Sequence, residues 1–254
     1  MIPIIDSAPR AANPFVTLTL ILVNSIVFLW MWSLPARELD VVTLEYALVP
    51  LRYSDPITAQ ASGLDPDDWW PLITNTFMHG GWLHLILNMW TLWIFGPAME
   101  ARFGRPGFLA LYLTGGTVAS FTHLIANLDS PTPALGASGA IAAVIAAYAV
   151  IYPRESVLLI VPLGIIFIPL WAPSVLFAFI WFGIQVLQGT HVLFSPSLAG
   201  GVAWWAHIGG FAFGAAAALL VRHHVWGEGM RTSRWDAGDF PKSRGRFPGP
   251  WSKD

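Results

Sequence analysis

Gly136-Ala137-Ser138-Gly139 opens directly into Ala140-Ile141-Ala142-Ala143-Val144-Ile145-Ala146-Ala147, and this stretch decides how the chain is read. It sets a hydroxyl between two glycines at the mouth of an apolar helix. A serine in such a helix can simply bond back to the preceding turn. Glycines on both sides and a run of alanines after it add something more. Glycine lets another backbone or a substrate approach closely, and small residues let a neighbouring helix pack tightly alongside. The stretch alone fits a helix-packing motif as well as a reactive serine, and the remainder of the chain weighs the two.

The composition is that of a membrane protein. Of the 254 residues 55% are hydrophobic and 11% charged, against roughly 25% charged in an ordinary soluble domain. The 14 Trp and 23 Gly add to this, since both are favoured in or beside membrane spans. A net charge of -2 gives no sign of nucleic acid as a partner. Cysteine is absent, which excludes disulfides, thiol nucleophiles and thiolate metal sites. The N-terminus lacks the basic stretch, short apolar core and cleavage site of a removable signal, so the first apolar run is expected to be a retained span.

The expected class is all-α, a polytopic bundle of six transmembrane helices. Residues 1–14 form a short Pro-containing head, 15–224 the membrane domain, and 225–254 a polar tail rich in Gly, Pro and Arg that is expected to be disordered. Phe15–Leu34 runs 20 residues without a charge, enough to cross a hydrocarbon layer of about 30 Å. A long connection over 35–70 follows, expected on the membrane surface. The second span runs from about Gly81 to Met99 and the third from Gly107 to Leu128. The fourth, Gly136–Ile151, reaches only about 24 Å at 1.5 Å per residue. Its outer end should therefore lie below the membrane surface, where non-helical backbone is tolerated only against protein or a water-filled cavity. A cavity is expected directly above Ser138. Residues 156–170, broken by Pro162, Gly164 and Pro169, read as an interfacial connection to a fifth span over 172–190. The sixth covers Ala203–Val221.

With the N-terminus inside, eleven of the 13 Lys and Arg fall inside and only Arg37 and Arg52 outside. That satisfies the positive-inside rule with both termini cytosolic. Spans two, four and six then all enter from the outer face. His84 and Asn88, four apart and on one helix face, Ser138, and His207 each fall near the outer end of one of these three spans. Polar groups inside spans are costly and commonly functional. Serine needs an adjacent base, for which His207 is the candidate. No Asp or Glu lies between Val202 and Val221, so a dyad is expected in place of a triad. A tetrahedral intermediate needs preorganised donors, which His84, Asn88 and the Ser138 backbone N–H can supply. Gly210 and Gly214 give the sixth helix a small face against Ala142, Ala143, Ala146 and Ala147.

Gly136-Ala137-Ser138-Gly139, His84-x-x-x-Asn88, and Ala206-His207-Ile208-Gly209-Gly210 with Gly214 together resemble the rhomboid family of intramembrane serine proteases, over about residues 70–224. The resemblance implies Ser138 as nucleophile, His207 as general base and acid, and His84 and Asn88 as oxyanion donors. It also implies a structural role for Glu100 and Arg102. Its substrates would be transmembrane segments of other proteins, cut near the outer face of a bacterial inner membrane without cofactor or metal. One departure stands out. Many members carry an aromatic one turn after the serine, packed on the catalytic histidine, and Ala142 occupies that position here. Another residue must then hold the His207 ring. The competing reading is a catalytically inactive relative that binds membrane-protein clients; a transporter is disfavoured because neither repeats nor mid-membrane charges are present.

Overall fold

A computed structural model describes residues 1–164, 166–194 and 203–227. The tail expected beyond 225 thus falls almost wholly outside the described residues, as do the side chains of His223 and His224. Met1–Leu219 form one compact unit. Beyond it only the end of the last helix is described.

In chain order the elements are β1 (Ile2–Asp6), α1 (Phe15–Ser33), α2 (Ala36–Tyr46), α3 (Leu51–Ser54), α4 (Pro56–Ala61), α5 (Pro71–Thr74), a 3-10 turn (Asn75–Phe77), α6 (Trp82–Ala126), α7 (Ser138–Ile151), β2 (Ser156–Leu163), β3 (Ile166–Pro173), α8 (Ser174–Phe194) and α9 (Trp204–Gly227). The fold is mostly helical. Among the described residues, helices long and apolar enough to cross a membrane occupy Phe15–Ser33, Trp82–Ala126, Ser174–His191 and Trp204–Val221.

At 45 residues, α6 would measure about 68 Å if straight, over twice the hydrocarbon thickness. It breaks at Gly104, whose φ of 70° and ψ of 166° are not helical. The contacts on either side give the direction of each arm. Along the first arm, His84 lies against Gly136 and Phe95 against Tyr148, so it runs parallel to α7. Along the second, Gly115 meets Ala143 and Ala119 meets Gly139, so it runs antiparallel. The chain therefore reverses at Gly104.

Helix α7 is the centre of the bundle. Every residue from Gly139 to Ala149 is buried, as expected of a helix apolar on all sides. With 14 residues it is about 21 Å long, shorter still than the sequence suggests because the helix starts at Ser138. Its Val144 and Tyr148 share one core with Phe28, Phe95 and Tyr112.

Two departures from the sequence reading concern the end of the bundle near Tyr152. The all-α expectation is incomplete, because residues 156–173 form the hairpin β2–β3 instead of a loose connection. The turn uses Gly164 at φ 64°. The N-terminal head supplies β1 as a third, antiparallel strand, in the order β1-β2-β3. The prolines mislead because both sit at edges. Pro169 lies on the outer strand β3, and Pro162 lies beyond the Val157–Ile160 segment that β1 covers; strand prolines are tolerated there. The head is further tied down by Asp6, which pairs with Arg10 and accepts a bond from the Tyr148 hydroxyl at 2.9 Å.

Glu100 and Arg102 do not form a pair. The Glu100 carboxylate, 3% exposed, accepts from the backbone N–H groups of Val16 and Thr17 and from the Thr17 hydroxyl, each at 2.9 Å. It caps α1 from a different helix, where the free amides and the helix dipole favour an anion. Its nearest cation is Arg105, at 3.9 Å. Glu100→Ala leaves buried donors unpaired and should cost about 3 kcal/mol, read as a lower unfolding midpoint in detergent micelles. Equal stability of Glu100→Ala and wild type would remove the cap from the account.

Candidate active site

The site is built where α7 starts. Gly136 has a φ of 132°, a conformation that side-chain-bearing residues rarely adopt. A methyl group there would fall 2.7 Å from both Cε1 and Nε2 of His84 and 3.8 Å from Ser138 Oγ. The missing side chain is what admits the His84 ring beside the serine. The first backbone bond of α7 runs from the Ile141 N–H to the Ala137 carbonyl. The amides of Ser138, Gly139 and Ala140 therefore stand outside the helical ladder, as helix starts require.

His207, on the first turn of α9, is 8% exposed. Its Nε2 lies 2.7 Å from Ser138 Oγ, and its Nδ1 lies 2.7 Å from Oε1 of Gln185 on α8. The ring sits 5.7 Å from that of Trp181 and 6.0 Å, edge-on, from that of Trp204. Small residues set this approach. A methyl on Gly210 would lie 2.1 Å from the Gly139 carbonyl oxygen, and one on Gly214 would lie 2.1 Å from that of Ala143. Gly209 faces the other way, onto Thr122 of the second α6 arm. Backbone thus meets backbone along α7 and α9, and no side chain could be inserted without parting them.

The structure therefore brings together Ser138, His207, His84, Gly136, Gly139, Gly210 and Gly214. Asn88 is buried one turn below His84, and its side chain makes no hydrogen bond to Ser138, His84 or His207 among the described residues. Ala142 is buried within α7, and the ring-holding groups come from α8 and α9 instead. Gln185 and Trp181 are not among the residues that the sequence singles out. The available signal is an amide within the apolar run that begins at Val175, where an unpartnered polar group is expensive.

A cleft of about 320 Å³, counting its open mouth, reaches Ser138 between Leu48, Asn75, Ser120, Leu135 and Ala206. This is where the sequence places a cavity. Its polar floor is held by Asn75, which donates to Ser120 Oγ at 2.9 Å and also to the Pro71 carbonyl. The Asn75 carbonyl accepts from the Gly136 N–H at 2.9 Å, tying the approach to α7 into the same network. His79 packs edge-on against His84, ring centroids 5.0 Å apart. It is 2% exposed. Burial, helped by the neighbouring His84, lowers its pKa to about 3.

Comparison with known proteins shows the family. The Rhomboid domain model matches residues 66–224, and the chain belongs to the rhomboid family. Presenilin-associated rhomboid-like protein A, mitochondrial, of Danio rerio is 31% identical over 152 residues, covering 57% of this chain and 35% of that protein. Putative rhomboid protease YdcA of Bacillus subtilis (strain 168) is 32% identical over 115 residues, 44% of this chain and 51% of its own. Rhomboid protease GluP of the same organism is 40% identical over 74 residues, 29% of this chain and 14% of its own. The chain spans about half or less of the length of these relatives.

Two outcomes are expected. Gly210→Ala should force α9 off α7 and destabilise by about 1–3 kcal/mol through overpacking, whereas Gly183→Ala, which meets nothing within 4 Å, should not. Identical thermal midpoints for the two would refute the backbone contact. The second concerns pH. Folded His79 refuses a proton that the unfolded chain takes up near 6.5, so stability is full above that pH and is lost as pH falls toward 3. His79→Phe should flatten this acid slope in urea titrations run at several pH values; an unchanged slope would assign the loss elsewhere.

Proposed function

We propose that this chain is an intramembrane serine endopeptidase that cleaves transmembrane segments of other membrane proteins, with Ser138 and His207 as its dyad. The observation that carries this reading is the 2.7 Å contact between His207 Nε2 and Ser138 Oγ, at a helix start that opens into a cleft lined in part by Asn75, Thr76, Ser120 and His123. His207 Nε2 takes the hydroxyl proton as Ser138 Oγ attacks the scissile carbonyl. The resulting oxyanion is met by the Ser138 amide, which the helix leaves free, and by the side chains of His84 and Asn88. His207 then passes the proton to the departing amine, and water admitted through the cleft hydrolyses the acyl-enzyme by the same route in reverse.

The reading extends to six membrane crossings: α1, the two arms of α6, α7, α8 and α9. It is supported by the reversal at Gly104 and by the opposite runs of neighbouring helices. Both termini are then cytosolic and the site opens to the outer face, in keeping with the eleven-to-two division of basic residues. The chain is an integral membrane protein, and the bacterial cell membrane is the compartment we assign to it, with the two bacillary relatives in support; mitochondrial relatives match as well. Its partners are transmembrane substrates and the bilayer.

A fluorophosphonate probe on the detergent-solubilised protein is the direct test. Wild type should label and cleave a model transmembrane substrate, while Ser138→Ala and His207→Ala should each do neither, the double variant being no worse than either. A folded wild type that never labels would favour a client-binding, inactive relative. Asn88→Ala should lose about 10²-fold in single-turnover rate with substrate affinity kept. A loss confined to affinity would make Asn88 a binding residue.

A further inference from the structure

We propose that Gln185 is the positioning residue of this site: its side-chain amide fixes the tautomer and orientation of His207, a part played elsewhere by an acidic third residue. The proposal rests on the dyad reading above and extends it to α8.

The hydrogen-bond network assigns the amide. Gln185 Nε2 donates to the Trp181 carbonyl, one turn earlier on the same helix, at 3.1 Å. Oε1 is thereby turned to His207 Nδ1 at 2.7 Å. The flipped amide would set two acceptors against each other at Trp181, so it is disfavoured. An acceptor facing Nδ1 requires that Nδ1 carry the ring proton. Nε2 is then the lone-pair nitrogen, and it is Nε2 that faces Ser138 Oγ, also at 2.7 Å. The neutral imidazole is held as the one tautomer able to accept the serine proton. In the other tautomer Nε2–H would point at the hydroxyl and no base would be present.

The surroundings leave the amide this task. Gln185 is 5% exposed, so its polar atoms exchange little with water and must be paired inside. Trp181, at i−4 and therefore on the same face of α8, places its ring beside His207. One face of α8 thus supplies both the wall and the acceptor that the small Ala142 on α7 does not. No acidic side chain is hydrogen-bonded to His207 among the described residues.

The test uses full-length protein in detergent, labelled with [15N]histidine, and assigns the His207 signals by their loss in His207→Ala. Wild-type His207 should be a single Nδ1–H tautomer near neutral pH. Gln185→Met, of similar shape but with no acceptor, should give a tautomer mixture. Its kcat should fall at least about 10-fold, short of the roughly 10⁴-fold that altering a charged orienting partner costs in a triad, with KM within about twofold. Gln185→Glu should recover most of the rate: a protonated carboxyl can donate to the Trp181 carbonyl and still offer a carbonyl oxygen to Nδ1. A Gln185→Met protein with wild-type kcat, or one that keeps the Nδ1–H tautomer, overturns the proposal. So does an Nε2–H tautomer in wild type, a result independent of whether any variant folds. Failure of wild type to label with fluorophosphonate would overturn the protease reading and leave the tautomer measurement to decide Gln185 separately.

Discussion

The structure depends on the direct meeting of two backbones, where Gly210 and Gly214 of α9 press on the carbonyls of Gly139 and Ala143 of α7. In hydrocarbon the helices gain nothing from burying apolar surface, since lipid is as apolar as they are. Association rests on close van der Waals contact, which small residues permit. The contact also sets a distance that matters chemically. Ser138 and His207 stand on the first turns of these two helices, so the separation of the axes is the separation of hydroxyl and imidazole. The second arm of α6 braces the pair from the side through Gly115 and Gly116 against α7 and Thr122 against Gly209. The proposed dyad, whose reacting atoms would tolerate errors of well under 1 Å, is thus held by parts of the chain with almost no side chain to move.

Electrostatics explains why such a site uses neutral groups. A carboxylate beside His207 would have to be stripped of water within the bundle, at a cost of several kcal/mol that its attraction to the ring recovers only with excellent geometry. The Gln185 amide meets the geometric need without that desolvation. The charges the fold does bury lie away from the dyad. Glu100 is neutralised by the start of α1, Asp6 by Arg10 and Tyr148, and Arg52 by two backbone carbonyls and Asp68. Each closes a joint between segments distant in sequence or between loop and helix.

Much of this is legible in the sequence. Hydropathy and span length located α1, both arms of α6, α7 and the cores of α8 and α9, because continuous apolar runs bounded by polar residues admit few alternatives in a bilayer. The depth argument from a short fourth span put the cleft where it lies. The meeting of Ser138 with His207 was also anticipated, since opposed small faces on two helices specify contact. What escaped has physical reasons. The β2–β3 hairpin was hidden by prolines that are harmless at strand edges, and β1 because five residues next to a chain end carry no periodicity of their own. Gln185 was missed because a lone amide within a span signals a partner without naming it, and that partner lies 22 positions away. The helix end that Glu100 caps lies 84 positions away in the chain, too far for local sequence to name it.

The shortness of α7 joins the packing to the chemistry. In the proposed six-span arrangement, α7, at about 21 Å, leaves several ångströms of the layer to be filled by something other than its own helix. That space holds the loop bearing Leu135 and Gly136, the Asn75–Ser120 pair, and the cleft between them. Leu48 and Ala134 pair as an isolated antiparallel bridge, and Leu51 donates to the Ser130 carbonyl at 3.0 Å, so the long first loop is stitched over the same region. Irregular backbone at this depth survives because each of these groups bonds to protein and not to lipid. On the proposed function, a longer α7 would carry Ser138 up to the surface, away from the embedded peptide bond it is proposed to cut. A shorter, unlined one would bury the serine without a route for water. The 14-residue helix beneath a stitched loop meets both demands of that proposal, with Gly136 in the conformation that admits the His84 ring beside it.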